Sequence, residues 1–141
     1  MAYFPFFVDL SGQRGLIVGG GTVALRKAEK LLPYGPELTV VAPEPIPALT
    51  ALPVTLERRR FRETDLEGTG FVIAATDDRE ENHRISALCR GQNIPVNAVD
   101  DREACSFLFP ALVRRGDLSV GISTGGSSPT AAVWLKEQIE G

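Results

Sequence analysis

The sequence predicts an α/β fold, a Rossmann-type doubly wound parallel sheet followed by a small C-terminal segment of antiparallel strands and a helix. Short apolar runs, typical of strands buried on both faces of a parallel sheet, alternate with amphipathic stretches of helix length. Beyond about residue 105, period-two alternation around a Gly-containing turn replaces this pattern. We therefore expect a Rossmann domain over residues 1–105 and a C-terminal segment over 106–141.

The first strand, Leu16-Ile17-Val18, ends at three glycines, and a helix is predicted over 22–32. Its apolar residues recur near helical spacing, while charged residues, Lys27 among them, occupy the other face. Pro33 ends this helix. The remaining elements are strands over 38–42, 54–61, 71–75 and 94–99, and a helix over 78–90. Alternation of this kind predicts parallel strands joined by crossovers.

The C-terminal segment contains a turn at 115–117 between extended stretches and a helix over 130–139. Ser128 before Pro129 is a strong helix start, because serine caps free backbone N–H groups and proline suits the first turn. One face of the helix carries Ala131, Trp134, Leu135 and Gln138. About 35 residues are too few to bury a core of their own. We therefore expect a dimerisation segment that packs on the same segment of a second copy, as a homodimer.

The composition, with 43% hydrophobic and 23% charged residues, is that of a soluble globular protein. No apolar run approaches the roughly 20 residues of a membrane span, and the N-terminal stretch has no basic leader. A cytoplasmic protein without membrane contact is expected. The net charge of −3 argues against nucleic-acid binding, which requires an excess of Lys and Arg.

The residues that most often bind metals are few and scattered. Cys89 and Cys105 form no Cys-x-x-Cys pair, and His83 is the only histidine, so no metal site is predicted. Both thiols are expected to be buried and unreactive. His83 is expected to face solvent from its helix.

The segment Gly19-Gly20-Gly21-Thr22-Val23-Ala24 matches G-x-G-x-x-A between a strand and a helix, the context in which this motif indicates dinucleotide binding. The first glycine permits the tight turn, and the third lets a pyrophosphate approach the backbone at the helix N-terminus. The alternative is an ordinary strand-to-helix turn. In this context we predict a bound dinucleotide.

Two further segments are expected to contact the cofactor. Glu44, 23 residues beyond Gly21, could hold the adenosine ribose hydroxyls, although Pro43 displaces the usual position of the acid. No Arg immediately follows the second strand to bind a 2′-phosphate, which favours NAD over NADP. Thr76 and Asp77 end the fourth strand where the far half of the cofactor would pass, and a polar helix cap is an equally good interpretation of them.

A second candidate site begins with Asp100 and Asp101, which follow the fifth strand at the edge where α/β sheets bind ligands. From the residues alone, a solvated loop acid is the more frequent case. An anion site is also predicted from Arg114 and Arg115 together with a Gly- and Ser-rich loop ahead of the last helix. That loop consists of Thr124, Gly125, Gly126, Ser127 and Ser128.

Taken together, several segments resemble the amino-terminal module of sirohaem synthase, the precorrin-2 dehydrogenase family. They are LIVGGG at 16–21, RKA at 26–28, AATDD at 74–78, NAVD at 97–100, SF at 106–107 with Pro110, and STGGSSP at 123–129. The glycine loop is common to many Rossmann proteins. Its combination with Asn-x-Val-Asp and Gly-Gly-x-Ser-Pro is much more specific.

This resemblance implies NAD-dependent oxidation of precorrin-2 to sirohydrochlorin by a homodimer with exchanged tail segments. By position, Asp100 matches the family's catalytic aspartate, and Thr22, Val23, Pro43 and Glu44 fall where the family contacts NAD. The polycarboxylate substrate would suit the arginines and the Gly/Ser loop. Some members also insert iron into sirohydrochlorin and others do not, so the resemblance leaves both alternatives for this chain.

Two alternatives to an enzyme remain at this stage. A non-catalytic NAD-sensing regulatory domain has a similar length and the glycine loop, and a tetrapyrrole carrier could keep the fold without turnover. Longer relatives continue into a helical region that can help to enclose the tetrapyrrole, so the chain could be naturally short or truncated. The downstream pathway is not predicted.

Overall fold

A five-stranded parallel sheet forms the centre of one of two compact units in the computed structural model, which describes residues 1–141. This Rossmann unit comprises Asp9–Leu108. The strand order is β3-β2-β1-β4-β5, and every neighbouring pair is parallel. The strands are β1 Arg14–Val18, β2 Glu37–Val41, β3 Thr55–Glu57, β4 Phe71–Ala74 and β5 Val96–Ala98. The predicted Rossmann-type sheet is confirmed.

Two of the strands are shorter than predicted. The expected strand over 54–61 is paired only over Thr55–Glu57, because it is an edge strand with one neighbour, β2. The expected strand over 94–99 is paired only over Val96–Ala98. Pro95 has no N–H to donate to the ladder, and the chain turns directly after Ala98.

The helices of this unit are α1 Thr22–Leu31, α2 Pro47–Thr50 and α3 Arg79–Gly91. The inward face of α1 is small, with Ala24 and Ala28 fully buried. Such residues let a helix approach the sheet closely. Asp78 caps α3, since its carboxylate accepts hydrogen bonds from the N–H groups of Glu80 and Glu81 at 3.0 and 3.4 Å. None of the helices is long and apolar enough to span a membrane.

The register aligns the carboxyl ends of four strands. Val18 of β1 is paired with Val41 of β2 and with Ala74 of β4, which in turn is paired with Ala98 of β5. The residues that follow these strands therefore leave the sheet along one edge. This carboxyl edge carries the glycine loop, the segment after β2, Thr76 and Asp100.

The second unit, here the hairpin unit, comprises Met1–Val8 and Phe109–Gly141. Strands β6 Ala111–Arg115 and β7 Leu118–Ile122 pair antiparallel, and helix α4 spans Pro129–Glu140. Gly116 takes a φ of 58° in the two-residue turn, as tight hairpins require. The Ser128 hydroxyl accepts a hydrogen bond from the Ala131 N–H at 3.1 Å. The predicted antiparallel segment and the serine cap are confirmed.

The face of helix α4 that carries Trp134 and Leu135 is exposed within the hairpin unit. Ala132 is its buried residue, while Trp134 is 57% exposed and Leu135 is 41% exposed. The predicted apolar face therefore points outward from the hairpin unit. Within this unit, a two-stranded hairpin offers too little surface to cover it.

The two cysteines differ in burial. Cys89 is fully buried in the core, and this burial raises the pKa of its thiol to about 11, so it is unreactive as predicted. Cys105 is only half-buried, contrary to the prediction. Its thiol donates to the carbonyl of Ala98 at 3.1 Å, which ties the chain after β5 back onto that strand.

Candidate active site

The glycine loop at the end of β1 has a backbone that only glycine can adopt. Gly19 has a φ of 134°, and a Cβ there would collide with the carbonyl of Ala75. Its N–H donates to the carbonyl of Val41 at 3.0 Å. At Gly20 a Cβ would lie 2.8 Å from the Cα of Pro45. The first two glycines therefore let the loop pack between the ends of the neighbouring strands.

Gly21 serves a different purpose. It is the N-cap of α1, no side chain caps this helix, and no acid lies in its first turn. A Cβ on Gly21 would meet no protein atom within 4 Å. The first-turn N–H groups, including those of Thr22 and Val23, thus have no side-chain acceptor and face an open approach. This arrangement fits the pyrophosphate of a dinucleotide.

The segment after β2 lies beside the glycine loop. The N–H of Ile46 donates to the carbonyl of Gly20 at 2.8 Å, which fastens the two segments together. Pro43 and Glu44 lie between β2 and this hydrogen bond, and both are exposed. Glu44 is therefore at the predicted edge, and its contact with the ribose stays a prediction.

At the end of β4, Thr76 is held by Asn82, a residue that sequence analysis missed. The buried Asn82 amide accepts from the Thr76 N–H at 3.0 Å and from its hydroxyl at 2.7 Å, and donates to its carbonyl at 3.0 Å. Asp78 provides the helix cap, so Thr76 and Asp77 are not the capping residues. The signal was an Asn on the same helix face as Ile85 and Cys89.

Asp100 lies in a tight turn directly after β5. The N–H of Asp101 donates to the carbonyl of Ala98 at 3.3 Å, and Asp100 takes a left-handed φ of 58°. Few residues other than glycine adopt this conformation, and when they do so it often marks a functional position. The N–H of Val99 donates to Ala74 at 3.0 Å, so the turn is anchored to β4. The Asp100 side chain is exposed.

Lys27 of α1 is part of the same neighbourhood. Burial lowers the pKa of its ammonium group, Lys30 adds to this lowering, and nearby Cys105 and Asp100 oppose it. The sequence placed Lys27 on the charged outer face, whereas it is half-buried near the Asp100 carboxylate.

The glycine loop and Asp100 share one edge and are separated by β4. With strands about 4.8 Å apart, β1 and β5 are about 10 Å apart. A dinucleotide bound with its pyrophosphate at the glycine loop could therefore extend along this edge past Thr76 toward Asp100. A hydride acceptor and a carboxylate on one edge would be a suitable arrangement for a dehydrogenation.

The predicted anion residues lie in the hairpin unit, and the structure separates the two arginines. Consecutive strand residues point to opposite faces, so Arg114 and Arg115 do not share one. Arg115 donates to the carbonyl of Glu140 at the end of α4, at 2.7 Å. Arg114 is exposed on the other face.

The Gly/Ser loop of the hairpin unit is held by its own hydrogen bonds. The Ser127 hydroxyl donates to the Thr124 carbonyl at 2.6 Å, and the Ser128 N–H donates to the Thr124 hydroxyl at 3.1 Å. Gly125 and Gly126 have φ values of 67° and 81°. The loop is thus a compact turn ahead of α4, and its role toward a substrate stays a prediction.

Comparisons with known proteins bear on both units. A family described as putative NAD(P)-binding matches residues 6–111, and one described as sirohaem biosynthesis protein central matches residues 115–141. The solved structure of SirC, a precorrin-2 dehydrogenase, matches with a TM-score of 0.76 and 30% identity over 98% of this chain and 70% of that one. The chain belongs to the precorrin-2 dehydrogenase family.

This chain is also similar to sirohaem synthases. The enzyme of Thioalkalivibrio sulfidiphilus is 43% identical and that of Ectopseudomonas mendocina 45% identical, each over 99% of this chain. The chain spans only 29% and 31% of the length of these two relatives. The predicted family and fold are confirmed, and the NAD(P)-binding match confirms the predicted cofactor class.

Proposed function

We propose that this chain oxidises precorrin-2 to sirohydrochlorin with NAD as the electron acceptor. The observation that carries the proposal is the shared edge of the sheet, where the uncapped N-terminus of α1 and the Asp100 turn lie two strands apart. The names of the relatives, precorrin-2 dehydrogenase and sirohaem synthase, support this substrate. Neither relative is an NAD-sensing regulatory domain, so the comparisons do not favour that alternative.

The glycine loop would hold the pyrophosphate through the N–H groups of the first turn of α1, among them those of Thr22 and Val23. Glu44 would contact the adenosine ribose, and Thr76 and Asp77 would line the path of the nicotinamide half. When bound, NAD accepts a hydride from the substrate. These contacts orient the cofactor and supply proximity, which accounts for much of the rate of such reactions.

Asp100 would act as the general base. Oxidation removes one hydride and one proton from the tetrapyrrole, and the exposed Asp100 carboxylate accepts the proton and releases it to solvent. The Lys27 side chain lies near this carboxylate. The tight turn after β5 fixes the direction from which the carboxylate meets the substrate.

The hairpin unit supports a homodimer. Its exposed apolar side chains include Phe4, Phe6, Phe7, Leu118 and Trp134. Large exposed apolar groups in one small unit are typical of a surface that a partner covers. A second copy of this chain would bury them, and the 124–128 loop and Arg114 would contact substrate carboxylates. Sedimentation equilibrium of the wild type and of Trp134→Glu tests whether the chain forms this dimer. We propose that the dimer is cytoplasmic.

The deciding experiment incubates purified protein with precorrin-2 and NAD and follows NADH formation and the sirohydrochlorin spectrum. We expect turnover in the wild type and a loss of about 10²- to 10⁴-fold in kcat in Asp100→Ala, the range for removing a general base. The Kd for NAD should stay unchanged. Turnover by Asp100→Ala at the wild-type rate would falsify the role of this carboxylate, and absent NADH formation in the wild type would refute the activity.

Adding ferrous iron to the same assay tests whether the chain also inserts iron into sirohydrochlorin.

A further inference from the structure

The carboxylate of Asp101, next to the proposed base, is buried and has an unusual set of contacts. Asp101 is 8% exposed, and its Oδ2 accepts no hydrogen bond of acceptable geometry. Two cationic or potentially cationic groups lie against this oxygen instead. They are Nε2 of His83, in direct contact, and Nη2 of Arg79 at 3.7 Å. A buried carboxylate is costly unless such partners compensate it.

Both partners come from the first turns of α3. Arg79 and His83 are four residues apart and therefore lie on one face of the helix. Their side chains are 75% and 54% exposed, so the prediction that His83 faces solvent is confirmed, and its Nε2 also contacts Asp101. Strands β4 and β5, which also pack against α3, carry no ionisable side chain, whereas the turn Arg102–Ala104, which packs against α3 too, carries Arg102 and Glu103. His83 is the group in direct contact with the Asp101 carboxylate.

The same face of α3 also donates hydrogen bonds to the chain after Asp101. The Ser86 hydroxyl donates to the carbonyl of Ala104 at 2.5 Å, and the Arg90 guanidinium donates to the carbonyls of Glu103 and Cys105, each at 2.9 Å. The positions 79, 83, 86 and 90 form one helical stripe. Within this stripe, Arg79 and His83 reach Asp101, the residue that adjoins Asp100, and His83 is the one in direct contact.

We propose that His83 and Asp101 form a positioning pair that holds the Asp100 turn in its left-handed conformation. This inference rests on the proposed role of Asp100 as base. A non-glycine residue at a φ of 58° persists only where its surroundings over-determine the conformation. Asp100 is linked on one side to β4 through Val99 and on the other side to α3 through Asp101. His83 acts on the reaction through Asp101 and is not itself a catalytic residue.

The kinetic test compares His83→Leu, His83→Gln and Asp101→Asn. Because a small displacement of a reacting group can cost up to about 100-fold, we expect His83→Leu and Asp101→Asn each to lose about 10- to 100-fold in kcat. The KM for NAD should change less than about twofold, since the glycine loop is untouched. His83→Gln retains an N–H donor and should recover part of the loss. Arg84→Gln is the matched control, because Arg84 pairs with Glu81 at 2.9 Å on the same helix. Its kcat should equal that of the wild type.

A second measurement is independent of turnover. Because His83 is the only histidine, its ring signals in ¹H–¹⁵N spectra are unambiguous. We expect a ring N–H proton that exchanges slowly with water in the wild type and rapidly in Asp101→Ala. The Tm should fall in His83→Leu, which removes the group in direct contact with the buried carboxylate, and should partly recover when Asp101→Asn is added.

The outcomes separate the pair from the proposed reaction. If the wild type lacks dehydrogenase activity, the ring proton and the Tm recovery still test the pair. The pair is refuted if the ring proton exchanges equally fast in wild type and Asp101→Ala, or if the Tm losses of His83→Leu and Asp101→Asn simply add. Equal kcat in His83→Leu and the wild type, with turnover present, would overturn its positioning role.

Discussion

At the carboxyl edge of the sheet, two turns take left-handed backbone conformations by different means. Gly19, at a φ of 134°, has no Cβ, and the space that a Cβ would need is filled by the carbonyl of Ala75. Asp100, at a φ of 58°, has a Cβ and is held through its neighbours, Val99 bonded to β4 and Asp101 against His83. A turn that binds its ligand through backbone N–H groups does not need side chains. A turn that presents a carboxylate needs the side chain and must be held from outside.

The largest expected effect comes from Gly19→Ala. The added methyl group collides with backbone atoms of Ala75, which cannot move without disrupting the end of β4. We expect a loss of about 3 kcal/mol or more in the free energy of unfolding, in the range of severe backbone changes. Denaturant unfolding measures it. A loss below about 1 kcal/mol would show that the loop can relax and that this glycine is replaceable.

Gly21→Ala is the matched variant in the same loop and should act on binding instead. Its added Cβ meets no protein atom, so the free energy of unfolding should change by less than about 1 kcal/mol. The methyl group occupies the approach to the first turn of α1, so we expect the Kd for NAD to rise about tenfold or more, about 1.4 kcal/mol. Calorimetric titration with NAD measures this. An unchanged Kd would place the pyrophosphate elsewhere.

The smallest expected effect is that of Asp100→Gly on stability. Glycine relieves the left-handed strain but adds entropy to the unfolded chain, so we expect a net gain of at most about 1 kcal/mol in the free energy of unfolding. Asp77→Gly is the control, since Asp77 is exposed and does not have a positive φ. It should lose about 0.5–1 kcal/mol. If both variants lost the same amount, the Asp100 turn would store no strain.

Local patterns predicted the glycine loop and the strands that flank it well. The apolar run at Leu16-Ile17-Val18, the three glycines and the amphipathic stretch after them are consecutive in sequence, so each constrains the next. The position of Asp100 at the carboxyl edge followed in the same way, because it ends a strand of a parallel sheet.

Contacts between distant segments were not predicted. Asn82 hydrogen-bonds to Thr76, and the next residue, His83, contacts Asp101. The sequence pattern does not distinguish Asn82 or His83 from other helix residues. Lys27 lies near Asp100 although 73 residues separate them in the numbering. The opposite faces of Arg114 and Arg115 depended on β6 extending through both residues. Such pairings require the crossover geometry and the register of the strands.

The class of fold, the glycine loop and the strand ends that form the carboxyl edge could be predicted from the amino-acid sequence, because they depend on side-chain period and on the freedom of glycine, which are local properties. What holds the Asp100 turn and which residue of α4 is buried became clear from the folded chain. Those features arise when helices pack on strands far away in the chain, where a buried carboxylate or amide must find whichever partner the packing brings to it.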